Sequence, residues 1–440
     1  MEEKRVKFRG LLWIYTILAA VFLLKLTNNK SIKDNYSHQI EYFKYNHAVL
    51  QLRNHHRIRE KNPKKNSKSK LKNTFSTNSL TKSEVSSLSD NQMCENLNGC
   101  RYKINITRAP TPMFGEQTDI RSIKLTGLPF DITPKIYKLM KTYLNTESIP
   151  TSNRISHPES VQPITGLSSN HYSEFMKNIH NADKFFSKTK KIVVYDIGLE
   201  PYQANNLQGK KYIYRKLDFE RYPEHVAELL TFAFKWACIF EGLIEFGSVM
   251  WFDTSIRFPG NDKFDNLIHS KVSKKLEANI TPADIQFYVK PASHSIASAT
   301  FKQMLDFIPS NIDNLAENHM MQAGAVLIYN TEQLKQNVLK WAYFCILTKF
   351  CIAPETLWNA EGRVSEKDKW CPPRIKNFKR ELAYYRAFGA DYGEDGILFA
   401  CHRGDQSMIS ILVVNFYGTK MEGGLDKFYE KFASVQRVMT

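Results

Sequence analysis

The chain has 440 residues, of which 42% are hydrophobic and 24% are charged, a composition that excludes a wholly disordered or fibrous protein. Its formal net charge of +17 is concentrated at the start: residues 1–110 carry 21 Lys and Arg against 8 Asp and Glu, and residues 111–440 carry 40 against 36. A domain that binds nucleic acid keeps its basic residues on a folded face, so the nearly balanced remainder argues against a nucleic-acid partner.

An apolar segment near the start of the chain predicts a membrane anchor. Residues 11–26 contain one charged residue, Lys25, and follow a basic cluster that ends at Arg9. The segment would also suit a cleaved signal peptide, but no small-residue cleavage pattern follows it, so an uncleaved signal-anchor is favoured. The basic cluster predicts that residues 1–10 stay in the cytosol and that the rest is luminal. The short span suits a single-pass type II protein of the Golgi or endoplasmic reticulum.

The segment after the anchor predicts a stem. Residues 27–110 are basic, rich in Lys, Asn and Ser and poor in apolar periodicity, so they are expected to be disordered. A luminal chain would also be a glycoprotein. Its N-glycosylation sequons begin at Asn29, Asn35, Asn105 and Asn279.

Seven cysteines are expected to pair mostly as disulfides in an oxidising lumen. Cys94 and Cys100 are close enough in sequence to close a small ring, and Cys238 is the odd thiol within an apolar helical stretch. The other four are Cys345, Cys351, Cys371 and Cys401. These four lack the C-x-x-C pair that is typical of zinc sites, so disulfides are favoured over metal, and their spacing leaves the connectivity open.

Residues 111–440 predict one luminal α/β domain with its core at 190–417. Strands are predicted at Lys191–Asp196, Tyr212–Phe219, Ser248–Phe252, Ile285–Val289 and Ala323–Tyr329. Helices are predicted at Ile132–Leu144, His171–Phe186, from Pro223 through Phe234, and at Glu332–Lys349, Arg374–Phe388, Asp405–Phe416 and Leu425–Val438. Strands that alternate with helices indicate a Rossmann-type domain with a largely parallel sheet, whose ligands lie beyond the carboxyl ends of the strands.

Two predicted strands end in an acidic residue. Asp196 is followed by Gly198, which suits a simple turn, the nucleoside-cofactor site of a methyltransferase, or the nucleotide-binding half of a sugar transferase. Asp253 follows the predicted strand Ser248–Phe252, where a carboxylate would hold Mg²⁺ or Mn²⁺ against a diphosphate. Ser255 occupies the position at which an Asp-x-Asp motif has its second carboxylate, so metal dependence stays open.

Two later segments add candidate residues. Gln322, Ala323 and Gly324 begin a strand, and small side chains there would let a sugar approach closely, although they also suit a tightly packed strand. The second segment precedes the apolar helix near residue 410. It contains His402, Arg403, Asp405 and Gln406. A helix cap alone would explain the aspartate, but this density of donors and bases suits an anionic leaving group.

The ordered segments resemble a known but uncharacterised family of invertebrate type II membrane proteins. The segments are V-V-Y-D-I-G-L, L-D-F-E-R-Y-P-E-H-V, E-F-G-S-V-M-W-F-D-T-S-I-R-F, M-Q-A-G-A-V-L-I-Y-N-T, C-I-A-P and C-H-R-G-D-Q-S. The luminal domain of that family looks like the GT-A fold of Golgi glycosyltransferases. The resemblance covers roughly residues 190–417 and implies transfer of a sugar from a nucleotide-sugar donor to a glycan or glycoprotein acceptor.

The resemblance also implies roles for individual residues. Asp253 and His402 would ligate the metal, and Gln322–Gly324 would contact the donor sugar. Asp405 would lie near the reaction centre together with Gln406, while Arg403 and His402 would neutralise the departing diphosphate. Ser255 and Gln322 depart from the family pattern. A membrane-anchored binding protein with a degenerate GT-A fold therefore stays open, as does a methyltransferase that uses S-adenosylmethionine.

Overall fold

The computed structural model describes a large part of one compact unit, Thr81–Thr440. The residues described are 101–102, 104–108, 123–149, 161–186, 190–208, 212–258, 264, 284–364, 371, 398–417 and 429–435. The predicted tail, membrane segment and nearly all of the stem lie outside them, as do Cys94, Cys100, Asn29, Asn35, Asn279 and the predicted helix Arg374–Phe388. Within these described ranges, no helix has the length and apolarity needed to span a membrane.

Short elements precede the main sheet. They are β1 (Arg101–Tyr102), β2 (Asn105–Arg108), β3 (Ile123–Thr126), β4 (Phe130–Asp131) and α1 (Pro134–Leu144). β1 pairs with β4 and β2 with β3, both antiparallel. α1 begins where Thr133 accepts a hydrogen bond from the Ile136 N–H and Pro134 takes the first helical position, a favourable helix start.

One mixed sheet organises the rest of the described chain. Its strands are β5 (Gln162–Leu167), β6 (Val193–Asp196), β7 (Ile213–Lys216), β8 (Ser248–Phe252), β9 (Ile256–Arg257), β10 (Ile285–Val289), β11 (Gln322–Tyr329) and β12 (Tyr429–Val435). They lie in the order β7-β6-β5-β8-β11-β10-β12-β9. β11 and β9 run against all the others, so the sheet is largely parallel, as the sequence predicts.

The sheet is covered on both faces, which explains its apolar strands. Along β6, Val193 and Tyr195 pack into one buried cluster and Val194 into the other, because successive side chains of a strand point to opposite faces. Phe175, from the helix α2 (Tyr172–Phe185), belongs to the second cluster. Trp236, from the helix α4 (Ala233–Phe246), belongs to the first. Between them in the chain lies α3 (Pro201–Leu207).

Two sequence predictions in the first part of this sheet need correction. β5 was not expected, and the core was predicted to begin only at residue 190, yet β5 lies between β6 and β8 in the middle of the sheet. The helix predicted from Pro223 is also wrong over its first ten residues, which form 3-10 turns at Glu224–Val226 and Leu229–Thr231. Phe232 then adopts a left-handed conformation with φ of 60°, so the helix α4 begins only at Ala233.

The second half of the described chain adds further helices. They are α5 (Lys302–Phe307), α6 (Ile312–Ala316), α7 (Glu332–Leu334), α8 (Lys340–Leu347), α9 (Lys349–Ile352) and α10 (Gly404–Tyr417), with a π-helical turn at Lys335–Leu339. The predicted helix Leu425–Val438 is wrong, because Tyr429–Val435 forms β12 between β10 and β9. Pairing with two strands distant in sequence overrides a local helical pattern there.

Two disulfides link the cysteines of this region. Cys345 pairs with Cys351, and Cys371 pairs with Cys401. Cys238 is a free, buried thiol, as its odd position predicts. The expectation of disulfides rather than metal for the four late cysteines is confirmed.

Gly242 determines how closely α4 approaches the sheet. A Cβ at this position would lie 3.0 Å from Val249 Cγ1 and 3.1 Å from Ile164 Cδ1. Gly242 also lies two helical turns after Lys235, on the same face of α4. The close packing of Gly242 therefore places Lys235 near the carboxyl end of β8.

We expect Gly242→Val to lower the free energy of unfolding by about 1–3 kcal/mol, because its methyl groups would overpack the contact with β5 and β8. Denaturant unfolding of the full-length protein measures this change. Asn205→Val, at an exposed position of α3, is the matched control and should change stability by less than about 0.5 kcal/mol. A Gly242→Val protein as stable as the control would show that the approach of α4 is not constrained here.

Candidate functional site

The carboxyl ends of the parallel strands lie along one edge of the sheet. The chain adds β6 and β7 on one side of β5 and β8 on the other, so the strand order reverses between β5 and β8. Open α/β sheets bind ligands at such a reversal, outside the carboxyl ends. β5 ends at Leu167 and β8 at Phe252, and Asp253 follows directly. Asp253 therefore lies where a ligand of this sheet is expected.

The carboxylate of Asp253 lies at this edge of the sheet and is partly accessible to solvent, with 34% of the side chain exposed. Its Oδ1 accepts a hydrogen bond from Trp251 Nε1 at 2.8 Å, and its backbone N–H donates to the Gly324 carbonyl oxygen at 2.7 Å. Burial raises the pKa of Asp253 above its ordinary value, although the Lys235 ammonium acts in the opposite direction. The inner side of the carboxylate is thus fixed by the protein, and its outer part is accessible.

Lys235 is the residue that holds this site together. Its Nζ lies 3.1 Å from Asp253 Oδ1 and 2.9 Å from Asp405 Oδ2, and it donates a hydrogen bond to the Ala323 carbonyl oxygen at 3.3 Å. Only 5% of its side chain is exposed. Burial by itself would lower the pKa of Lys235, but the two carboxylates outweigh it and raise the pKa, so the ammonium stays charged.

Asp405 lies behind Lys235 and away from solvent. It is the second residue of α10, and 3% of its side chain is exposed. A carboxylate in the first turn of a helix is favoured by the helix dipole, and a buried carboxylate also needs a cation partner, which Lys235 supplies. In this arrangement Asp405 positions Lys235 and does not itself face a ligand.

β11 brings the segment Gln322–Gly324 beside Asp253. β11 is antiparallel to β8, so its first residues extend past the carboxyl end of β8. A Cβ at Gly324 would lie 3.4 Å from Asp253 Oδ2 and 3.2 Å from Ile256 Cδ1. Because Gly324 carries no side chain, β11 can pack closely beside Asp253 and Ile256 on this flank.

Asp196 does not point toward a ligand. Its Oδ1 accepts hydrogen bonds from the backbone N–H groups of Gly198 at 2.8 Å and Leu199 at 2.7 Å. Its Oδ2 accepts one from the Tyr214 hydroxyl at 2.6 Å. Burial, together with this hydrogen bond, raises the pKa of Tyr214 to about 12. The carboxylate of Asp196 therefore stabilises its own turn, and the prediction that Asp196 and Gly198 hold a cofactor is not supported by these contacts.

His402 is a buried structural residue, which corrects its predicted roles as metal ligand and catalytic group. Its Nε2 donates to the Ile352 carbonyl oxygen at 3.0 Å, and its Nδ1 accepts from the Phe301 N–H at 3.2 Å. Burial lowers the pKa of His402 from 6.5 to about 4, so the ring is neutral at pH 7. Both ring nitrogens are engaged, so neither can bind a metal or an anionic group.

The remaining predicted residues lie at the start of α10 and after β8. Arg403 and Gln406 are half-buried; the Arg403 N–H donates to the Ala299 carbonyl oxygen, and the Gln406 N–H donates to the Arg403 carbonyl oxygen. Ser255 is half-buried in the turn between β8 and β9. The structure thus links Asp253, Asp405 and the start of β11 through Lys235.

The described residues do not fit a divalent metal. Nowhere in that part of the chain do three or more His, Cys, Asp or Glu residues form a cluster able to hold a metal ion. Asp253 Oδ1 already binds Trp251 and Lys235, and Lys235 Nζ lies between Asp253 and Asp405. Mg²⁺ and Mn²⁺ need several oxygen ligands, and here an ammonium occupies the space between the two carboxylates.

Comparison with known proteins gives distant similarities. Residues 124–239 match a family described as a protein of unknown function, DUF1647. No curated protein matches the chain. Solved structures that resemble it include a galactosyltransferase in complex with donor and acceptor sugar analogues, which is 12% identical, with 41% of this chain and 63% of that chain covered and a TM-score of 0.25.

Two further solved structures are similar at the same level. Mouse xyloside xylosyltransferase 1, in its apo form, is 11% identical over 61% of this chain and 84% of its own, with a TM-score of 0.30. A mannosyltransferase from Pyrobaculum calidifontis in complex with GDP-Man and Mn²⁺ is 11% identical over 63% and 76%, with a TM-score of 0.23. The chain spans 63% of the length of the galactosyltransferase and 51% of that of a bifunctional glycosyltransferase.

Sequence reasoning missed Lys235, although the sequence contains a signal for it. The residue stands alone as a cation in the apolar stretch Leu229–Ile244, between Phe234 and Trp236. A lysine buried in such a helix needs anionic partners, since an unpaired buried charge is costly. That signal indicates that partners exist without indicating that they are Asp253 and Asp405.

We expect the folded protein to lose about 2 kcal/mol of stability through His402 between pH 7 and pH 5. The pKa of His402 is about 4 in the folded protein, and in the unfolded chain it has the ordinary value of 6.5. As the pH falls, His402 therefore binds a proton in the unfolded chain before it does so in the folded protein. This contribution is complete above pH 6.5 and is lost as the pH decreases toward 4.

Unfolding free energies of the full-length protein at several pH values measure this effect. His402→Gln is the matched control, because its amide can donate to Ile352 and accept from Phe301 without titrating. The variant should lose about 2 kcal/mol less than the wild type over the same pH interval. Equal pH dependence of the two proteins would show that His402 is not buried in its neutral form.

Proposed function

We propose that this chain is a glycosyltransferase with a GT-A-like domain, which moves a sugar from a nucleotide-sugar donor to a glycan or glycoprotein acceptor. The observation that carries the proposal is the position of Asp253. This partly exposed carboxylate lies at the strand-order reversal of a largely parallel sheet, beside the start of β11. Such an edge is where α/β sheets bind nucleotides and their conjugates.

The chemistry of the edge suits a ligand rich in hydroxyl groups. Asp253 accepts hydrogen bonds only, and ribose and sugar hydroxyls are donors that a fixed carboxylate can orient. The group of Asp253, Asp405 and Lys235 carries a net charge of −1, so it would repel a phosphate placed directly against it. We assign the sugar or ribose hydroxyls to Asp253.

The phosphates need a cationic environment elsewhere along the edge. Arg403 stands directly before α10 and is half-buried, and the amino end of that helix carries a partial positive charge. We keep Arg403, with Gln406 in the first turn, as the group that would meet the departing diphosphate. His402 takes no part, because it is neutral and both of its nitrogens are bound.

We further propose that the domain is luminal and anchored by residues 11–26, as a type II protein of the Golgi or endoplasmic reticulum. The disulfides Cys345–Cys351 and Cys371–Cys401 support an oxidising compartment, where such bonds persist. Protease protection of the domain in sealed microsomes would test this topology. Digestion of the domain without detergent would contradict it.

Two alternatives lead to different results. A binding protein with a degenerate GT-A fold would bind a sugar or nucleotide without turnover. A methyltransferase would bind S-adenosylmethionine, but the carboxylate expected to hold its ribose, Asp196, is occupied by its own turn and by Tyr214. The occupied Asp196 argues against both cofactor roles predicted for it, so the transferase proposal rests on Asp253 instead.

We expect uridine or guanosine diphosphate to raise the Tm of the full-length protein, by about 5 °C at 100 times its Kd. Thermal unfolding with each diphosphate, each corresponding UDP- or GDP-sugar and S-adenosylmethionine measures this shift. Asp253→Asn should reduce the shift given by the nucleotide sugars, because it removes an acceptor at the sheet edge.

Asp306→Asn, at an exposed aspartate of α5, is the matched control and should keep the full shift. A shift with S-adenosylmethionine alone would contradict the proposal, and so would equal shifts in the two variants. Release of free diphosphate from a UDP- or GDP-sugar then separates an enzyme from a binding protein.

A further inference from the structure

The two carboxylates and the lysine of this site form a closed ionic group. Asp253 comes from the end of β8, Asp405 from the start of α10 and Lys235 from the first turn of α4. The ammonium lies 3.1 Å from one carboxylate and 2.9 Å from the other. Two carboxylates that converge from separate elements on one point are also what a hard divalent cation requires.

The ammonium of Lys235 is enclosed by this group. Its Nζ donates to Asp253 Oδ2 at 3.4 Å and to the Ala323 carbonyl oxygen at 3.3 Å, and it is ion-paired with Asp405 Oδ2 at 2.9 Å. With 5% of its side chain exposed, the Lys235 ammonium is shielded from direct contact with a ligand. Its effect on a ligand must therefore pass through Asp253.

We infer that Lys235 is the resident cation of this site, so that the site binds its hydroxyl-bearing ligand without a divalent metal. Lys235 is then a positioning residue: it fixes the carboxylate of Asp253, whose accessible part receives the ligand. The inference deepens the proposed function and rests on it for the identity of the ligand. The metal independence itself can be tested on the ligand-free protein.

Removing the ammonium should convert the site into a metal site. In Lys235→Ala, Asp253 and Asp405 would face each other across a space left by the lysine side chain, with a net charge of −2. A divalent cation would relieve this repulsion and take carboxylate and water oxygens as ligands. In the wild type, the ammonium already fills that position.

The experiment is a titration of the ligand-free, full-length protein with Mn²⁺. Binding is measured by calorimetry and by the decrease of the electron paramagnetic resonance signal of the free ion. The wild type should bind no more Mn²⁺ than Asp253→Asn. Lys235→Ala should gain a saturable site at least about tenfold tighter than any in Lys235→Ala/Asp253→Asn, since a second carboxylate strengthens the coordination. Its Tm should rise with Mn²⁺, which serves as the readout if this variant is only marginally stable.

A wild-type Mn²⁺ site that Asp253→Asn removes would overturn the inference. So would a folded Lys235→Ala protein without the added site. If Lys235→Ala does not fold, the comparison of the wild type with Asp253→Asn still decides the question.

The proposed function and the metal independence can be contradicted by different results. Absence of any shift with nucleoside diphosphates or nucleotide sugars would contradict the proposed function and leave the Mn²⁺ result standing. A nucleotide-sugar shift that requires Mn²⁺ and depends on Asp253 would support the transferase and overturn the metal independence.

Discussion

A single buried ammonium constrains the arrangement of this domain. Lys235 cannot be buried without anionic partners, and it finds them in Asp253 and Asp405, which belong to different elements. The ion pairs therefore connect the helix that covers the sheet, the end of a central strand and the start of α10. The close packing at Gly242 keeps that helix near the sheet. The partly exposed carboxylate of Asp253 is the part of this group that a ligand can reach.

Much of the fold follows from local patterns in the sequence, and its errors have physical causes. The strands Val193–Asp196, Ser248–Phe252 and Ile285–Val289 are short, apolar and buried on both faces, so their patterns identify them. The central strand Gln162–Leu167 contains Pro163 and Gly166, which weaken any strand pattern. Pairing with β10 and β9 also determines β12, although the local sequence pattern of residues 425–438 favours a helix.

The site was predictable in part. Asp253 and the segment Gln322–Gly324 were expected at the carboxyl edge because strand ends of an α/β sheet meet there, and the structure does bring them together. The role of Lys235 was not predictable, since its partners Asp253 and Asp405 lie 18 and 170 positions after it in the chain. Conversely, Asp196 and His402 are residue types that often bind ligands or take part in catalysis. Their side chains are occupied by hydrogen bonds that form only in the folded protein, and the spacing of residues in the sequence does not predict these bonds.

Hydrogen–deuterium exchange of the full-length protein, with and without the nucleotide sugar that binds it, tests most directly whether the ligand occupies this edge. The account predicts slower exchange in peptides that cover residues 250–257 and 320–326, because a ligand held by Asp253 would shield both. Slower exchange confined to residues 193–199, or to surfaces away from the carboxyl ends of the strands, would contradict it.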